Sequence, residues 1–85
     1  MRLDKYLKVS RIIKRRTVAK EASEGGRVTL NGKVAKPSTE VKVGDVMEIR
    51  FGEKMAKYRI LAVAETVRKA DAGAMYELIE GDDDL

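Results

Sequence analysis

The chain has 85 residues, of which 18 are Lys or Arg and 14 are Asp or Glu, and its formal net charge is +4. It contains neither cysteine nor histidine, which excludes disulfides, the usual zinc-finger ligand sets and catalysis by an imidazole. This length suits one small domain and leaves no room for a separate catalytic domain.

The two parts of the chain differ in charge. Residues 1–36 contain eleven basic and three acidic residues, a balance of +8, whereas residues 37–85 contain seven basic and eleven acidic residues, a balance of −4. The first part would attract a polyanion that the second would repel, so we expect an oriented contact with the acidic part turned away. The N-terminal residues are too charged for a signal peptide or a membrane span, and we expect a cytoplasmic protein.

Two helices are predicted at the start of the chain. An apolar stripe of Leu3, Tyr6 and Leu7 indicates a short helix over about residues 2–9, after which "II" at 12–13 is expected to pack onto the same core. A second helix is predicted over about residues 15–24, with a narrow apolar face on Val18, Ala19 and Ala22. It ends at "GG", because glycine readily adopts the left-handed conformation that closes helices.

The hydrophobic period then changes to two, which indicates strands. "NG" at 31–32 predicts a tight hairpin between "RVTL" and "KVAK", and "VGD" at 43–45 is a second turn before the strand "VMEIRF". A longer strand is predicted over 55–63, residues 65–73 fit a loop or a short helix, and "AMYELIE" is interpreted as a final strand. We expect one domain over residues 1–80 and an acidic disordered tail over 81–85.

The basic run "KRRTVAK" violates the local rules of helix stability. Lys14, Arg15 and Arg16 lie at the start of the second helix, where the helix dipole is already positive, and Lys20 precedes Glu24 in the weaker ion-pair order. Backbone N–H groups at a helix start, surrounded by guanidinium groups, suit a phosphate. We therefore interpret the run as a phosphate-binding surface. The alternatives are a solvated helix face, a nuclear-localisation signal and a membrane-surface helix.

The aromatic residues indicate which form of nucleic acid would bind. All four fall on predicted core faces, namely Tyr6, Phe51, Tyr58 and Tyr76. Without exposed rings on which bases could stack, folded RNA recognised by shape and backbone is favoured over splayed single strands. The serines and threonines of the basic region have no base to activate them, so no catalytic site is predicted.

Three segments together resemble the S-four RNA-binding domain family: "RLDKYL", "SRIIKRRTVAKEASEGGRVTLNG" and "VGD". The likeness extends to about residue 80 and is greatest to the stand-alone heat-shock protein fifteen group, through "KPS" at 36–38 and "AMYE" at 74–77. The resemblance implies an α+β fold with two or three short N-terminal helices packed on a small, mainly antiparallel sheet.

The resemblance also implies a function. Members of the heat-shock protein fifteen group are non-enzymatic and need no cofactor. The resemblance implies that this protein binds an obstructed large ribosomal subunit and supports alanine tailing of the stalled chain. The expected partners are large-subunit ribosomal RNA, peptidyl-tRNA and the tailing factor RqcH, with the protein acting as a monomer. A salvage factor for large subunits carrying peptidyl-tRNA, and a protein-interaction adaptor that uses the basic face, remain alternatives.

Carried over by position in the motifs, the resemblance assigns ten cations to the RNA-binding surface: Arg2, Lys5, Lys8, Arg11, Lys14, Arg15, Arg16, Lys20, Arg27 and Lys33. The acid of the first motif, Asp4, is expected to orient neighbouring arginines, because a bare carboxylate would repel phosphate. Ser23 stands where relatives often have a bulky apolar residue, so we expect a thinner contact between the second helix and the sheet.

Overall fold

The computed structural model describes residues 1–13 and 15–81, apart from the side chains of Arg16 and Phe51. Two α-helices are followed by five strands and a 3₁₀ helix: α1 (Leu3–Ser10), α2 (Arg16–Glu24), β1 (Val28–Leu30), β2 (Lys33–Val34), β3 (Val46–Phe51), β4 (Lys54–Ile60), the 3₁₀ helix η1 (Lys69–Met75) and β5 (Tyr76–Gly81). The strands form one antiparallel sheet in the order β2-β1-β3-β4-β5. The predicted α+β fold is confirmed.

The core lies between the helices and one face of the sheet. The predicted stripe of α1 is fully buried, with Leu3, Tyr6 and Leu7 no more than 1% exposed. The strands contribute their inward-facing residues: Val28, Leu30, Met47, Ile49, Ala56, Tyr58 and Ile60. Each large apolar side chain that leaves water in this way stabilises the fold by about 1.5–3 kcal/mol before entropy is counted. Within the described ranges, every helix is too short or too polar to cross a membrane.

The predicted hairpin and the "VGD" turn are joined to each other. Asn31 and Gly32 both have positive φ, 53° and 86°, which is the geometry of the tight hairpin turn between β1 and β2. The side-chain Nδ2 of Asn31 donates to Asp45 Oδ1 at 3.1 Å. The side-chain Oδ1 of Asn31 accepts a hydrogen bond from the Val46 N–H at 3.0 Å. The two turn motifs therefore form one hydrogen-bonded corner, which fixes the register of β1 against β3.

The loop before β3 closes the start of α1. The N–H groups of Leu3 and Asp4 donate to the carbonyls of Thr39 and Pro37, at 2.8 and 3.1 Å, and the Val41 N–H donates to the Met1 carbonyl at 2.7 Å. This gives the "KPS" segment a structural role, because the first backbone donors of α1 have no partner inside the helix.

Several predicted boundaries shift. Strand β4 ends at Ile60, three residues before its predicted end, because the N–H groups of Leu61 and Ala62 both donate to the Met75 carbonyl, at 2.8 and 3.2 Å, instead of continuing a ladder. The 3₁₀ helix η1 begins inside the ambiguous region 65–73 and ends at Met75, and the final strand is confirmed. Gly81 belongs to β5, so the predicted tail cannot begin there, and the rest of the tail, 82–85, lies outside the described residues.

The other face of the sheet carries no helix and alternates in charge. Arg50 Nε lies 3.3 Å from Glu48 Oε2, Lys57 Nζ lies 3.7 Å from Glu80 Oε2, and Arg59 is paired in register with Glu77. Exposed pairs of this kind contribute little to stability. Two cations of this face, Arg50 and Lys57, thus have carboxylate partners.

Candidate nucleic-acid interface

An open groove of about 1120 Å³ lies between the two α-helices and the loop that follows β4. Five of the ten predicted cations line it: Arg2, Lys5, Lys8, Arg11 and Lys20. Apolar side chains that belong to the core or pack against it also line the groove, among them Leu7, Ile13 and Ala19. The arrangement offers several positive charges along a concave surface, which suits a phosphate backbone.

The position of each cation on α1 follows from the helix period. Leu3, Tyr6 and Leu7 are buried, so the remaining face of α1 turns Lys5 and Lys8, three residues apart, toward the groove. Tyr6 fixes this orientation from behind, since its hydroxyl donates to the Met75 carbonyl at 2.7 Å. Burial is the main cause that raises the pKa of Tyr6 above its usual range, and the neighbouring Tyr76 adds to it.

Asp4 holds Arg2 in a two-point contact. The Nε and Nη2 atoms of Arg2 donate to Oδ1 and Oδ2 of Asp4, each at 3.2 Å, and Oδ1 also accepts the Lys5 N–H at 2.8 Å. The Arg2 side chain nevertheless stays 63% exposed. The guanidinium is thus both oriented and accessible, which is the geometry expected of an orienting acid.

The start of α1 is not itself an anion site. The N–H groups of Leu3 and Asp4 are bonded to loop carbonyls, and that of Lys5 is bonded to Asp4, so the donors that could hold a phosphate are already used. At this end of the groove, charge comes from side chains. The start of α2 differs, because Arg15 occupies the cap position without a side-chain hydrogen bond and no acid lies in the first turn.

Arg11 sits at the turn between the helices in a left-handed conformation, with φ 56° and ψ 26°. A residue with a Cβ adopts this conformation at a cost of about 1 kcal/mol relative to glycine. The turn sends Ile12 and Ile13 into the core, where they are 3% and 4% exposed, while Arg11 lines the groove. Because glycine would give a more stable protein at this position, the arginine indicates a functional role for its side chain.

The second helix contributes Lys20 to the groove and buries Ala22 and Ser23 behind it. The Ser23 hydroxyl donates to the Lys20 carbonyl at 3.1 Å, so a small polar residue fills this position without an unpaired buried group. The helix ends as predicted, because Gly26 has φ 72° and the Arg27 N–H donates to the Ala22 carbonyl at 3.1 Å.

The remaining predicted cations are not brought into the groove. Arg15 is exposed at the start of α2, Arg27 lies beyond its end, and Lys33 is on the edge strand β2 in register with Leu30. Lys14 and the side chain of Arg16 lie outside the described residues.

The far wall of the groove was not predicted. It consists of Glu65, Thr66 and Val67, which follow β4, together with Pro37. The expectation that the acidic part of the chain faces entirely away is therefore wrong, because Glu65 lines the groove. No motif marked residues 65–67, since their place depends on the long-range contact of the chain after β4 with Met75, whereas Pro37 belongs to the "KPS" segment and is bonded to the start of α1.

The family of the chain follows from its similarity to known proteins in sequence and in fold. The family described as "S4 domain" matches residues 1–47. The proteins named "RQC P-site tRNA stabilizing factor" from Streptococcus pneumoniae and Halalkalibacterium halodurans are 58% and 60% identical over 93% and 92% of this chain, covering 90% and 89% of their own lengths. A trimeric structure of Vibrio cholerae heat shock protein 15 superposes with a TM-score of 0.79 at 35% identity, covering 93% of this chain and 81% of that one.

The expected resemblance to the S-four family and its heat-shock protein fifteen group is confirmed. The matched residues 1–47 include both helices, the hairpin and the "VGD" turn, whereas the groove residues that follow β4 lie beyond them. The chain therefore belongs to the S4 domain family and, within it, to the RQC P-site tRNA stabilizing factors.

Proposed function

We propose that this protein binds the obstructed large ribosomal subunit, contacts ribosomal RNA and peptidyl-tRNA, and supports alanine tailing of the stalled chain together with RqcH. It would do so as a non-enzymatic, monomeric RNA-binding factor associated with ribosomes in the cytoplasm. The names of the relatives, which refer to stabilisation of tRNA in the P site, support the tRNA part of this role.

One observation carries the proposal: five cations line a single groove, and of these five only Arg2 has an ion-pair partner within the described part of the chain. Three carboxylates also line it, those of Asp4, Glu24 and Glu65, which leaves a net charge of +2 in the groove. Unpaired cations repel each other in the free protein, and a phosphate backbone would relieve that repulsion while releasing counterions.

Arg15 and Arg16 extend this surface in the proposal. Arg15 is exposed beside the uncapped start of α2, where an anion would meet both a guanidinium and the positive end of the helix dipole. Arg27 and Lys33 would contact RNA only if it continued past the groove toward the β1–β2 hairpin.

The first experiment is co-sedimentation with large ribosomal subunits. We expect Arg15→Ala combined with Arg16→Ala to release the protein from the subunits while its thermal unfolding stays unchanged. The matched control is Arg50→Ala with Arg59→Ala, which removes two arginines from the helix-free face. Co-sedimentation that survives the first double substitution, or is lost equally with the second, would refute this part of the site.

The tailing role is distinguished from subunit salvage in cells. We expect deletion of the gene to abolish alanine tails on stalled chains, and expression of the wild-type protein, but not of the Arg15 and Arg16 double variant, to restore them. Normal tailing in the deletion strain would favour salvage. If a bound partner resisted nuclease treatment before capture of the protein, an adaptor role would be favoured instead.

A further inference from the structure

The two walls of the groove differ in their chemistry. The wall formed by α1 and α2 carries the five cations together with the carboxylates of Asp4 and Glu24, whereas the residues that follow β4 present the carboxylate of Glu65 and the hydroxyl of Thr66 and no cation. Neither side chain has a hydrogen-bond or ion-pair partner within residues 1–13 and 15–81. The groove therefore has one side on which cations outnumber carboxylates and one side that offers only unpaired acceptors.

The loop that carries this second wall is anchored on both sides. Ala64 and Val67 pack against the core, and between them Glu65 and Thr66 are exposed. The chain just before the loop is fixed by the two N–H groups that donate to the Met75 carbonyl. Glu65 and Thr66 are thus held facing the groove by packing on either side.

This arrangement fixes how a strand of nucleic acid can lie. A phosphate beside Glu65 would be repelled, so the phosphates must follow the cations of the helices. A strand placed in this way can turn its ribose groups toward Glu65. A carboxylate accepts hydrogen bonds and cannot donate them, so it suits a hydroxyl donor. The 2′-hydroxyl supplies such a donor in RNA and is missing in DNA.

We propose that Glu65, assisted by Thr66, accepts a hydrogen bond from a ribose 2′-hydroxyl and so selects RNA over other polyanions. This inference rests on the proposed function, since it requires that the groove binds RNA. It assigns selectivity to the acidic wall and affinity to the basic one.

The test uses two probes of one sequence: an RNA hairpin and the same hairpin with every 2′-hydroxyl methylated. Methylation keeps the phosphates and removes the donor. We expect the wild-type protein to bind the unmodified hairpin about fivefold more tightly, as one charge-assisted hydrogen bond at an exposed site allows. In Glu65→Ala this preference should fall to about onefold, mainly through weaker binding of the unmodified hairpin.

Two further variants separate hydrogen bonding from charge. Glu65→Gln keeps an acceptor oxygen without the charge and should retain part of the preference. Glu53→Ala removes an exposed carboxylate from the turn between β3 and β4 and should leave the preference unchanged.

The possible failures are distinct. If the wild-type protein binds both hairpins equally, or if the preference persists in Glu65→Ala, the inference is overturned while RNA binding stands. If the wild-type protein binds neither hairpin nor tRNA, the proposed function fails, and this inference fails with it.

Discussion

The hydroxyl of Tyr6, in the first helix, donates a hydrogen bond of 2.7 Å to the carbonyl of Met75, at the end of η1, across 69 positions of sequence. The same carbonyl accepts the N–H groups of Leu61 and Ala62, where the chain leaves β4 for the far wall of the groove. One backbone oxygen thus connects the helix that carries Lys5 and Lys8 to the loop that carries Glu65.

Substitution of Tyr6 by Phe removes this hydrogen bond without emptying the core. Because the Met75 carbonyl keeps two donors, we expect the free energy of unfolding to fall by only about 1 kcal/mol, as for an ordinary hydrogen bond. Tyr6→Ala should cost about 3–5 kcal/mol, because it leaves a cavity among fully buried neighbours. Urea unfolding of both variants measures the difference, and equal losses would contradict this account.

The raised pKa of Tyr6 predicts a loss of stability at high pH. The folded protein keeps this hydroxyl protonated above pH 10, where an unfolded tyrosine ionises, so the unfolded state binds fewer protons. The contribution is complete below about pH 10 and decreases by about 1.4 kcal/mol per pH unit above it. Unfolding of wild type and Tyr6→Phe at several pH values tests this, since the difference in their free energies of unfolding should shrink above pH 10 and would stay constant if the pKa of Tyr6 were the same in both states.

Substitution at Arg11 should separate stability from binding. Glycine adopts the left-handed conformation of this residue without the cost of a Cβ, so we expect Arg11→Gly to raise the free energy of unfolding by about 0.5–1 kcal/mol. RNA affinity should fall, because a groove cation is lost. Thermal unfolding and tRNA titration on the same preparation measure both, and unchanged affinity would show that Arg11 is retained for another reason.

The role of Asp4 can be tested against simple charge. Asp4→Asn removes a negative charge next to the groove, so electrostatics alone predicts tighter RNA binding. If Asp4 orients Arg2, the substitution should instead weaken binding by about threefold, since the two-point contact is lost. Arg2→Ala should weaken binding more than Arg2→Ala combined with Asp4→Asn, because the single variant leaves an unpaired carboxylate beside the phosphates.

The corner formed by Asn31 and Asp45 should respond differently to two substitutions. Asn31→Gly loses the side-chain hydrogen bonds but keeps the positive φ, whereas Asn31→Ala loses both, so we expect Asn31→Ala to be less stable by about 1 kcal/mol. Chemical denaturation gives the comparison. Equal stabilities would mean that the backbone conformation at this turn has no cost.

Local sequence was sufficient for the elements whose causes are local. The stripe of Leu3, Tyr6 and Leu7, the closing glycines of α2 and the Asn31-Gly32 turn each specify their structure within a few residues, and all are confirmed. The boundaries of β4 and the far wall of the groove depend on the Met75 carbonyl, which is distant in sequence.

The same distinction holds for the candidate site. The pattern and the resemblance identified cations on α1 and α2, but Glu65 was grouped with the acidic part that should face away. Only the fold brings Glu65 into the same groove as Lys8 and Lys20. The charge balance of residues 37–85 could not show that one of their acids lies beside the basic helices, because that contact depends on the fold.

The most direct test of the central claim compares the salt dependence of tRNA binding in two triple variants. Lys8→Ala, Arg11→Ala and Lys20→Ala empty the groove of three cations, and Arg50→Ala, Lys57→Ala and Arg59→Ala remove three from the helix-free face. If the groove holds the phosphates, the groove variant reduces the magnitude of the negative slope of log affinity against log salt by about 2–3, while the control changes that magnitude by less than about 1. An equal decrease in both variants would contradict the assignment of RNA binding to the groove.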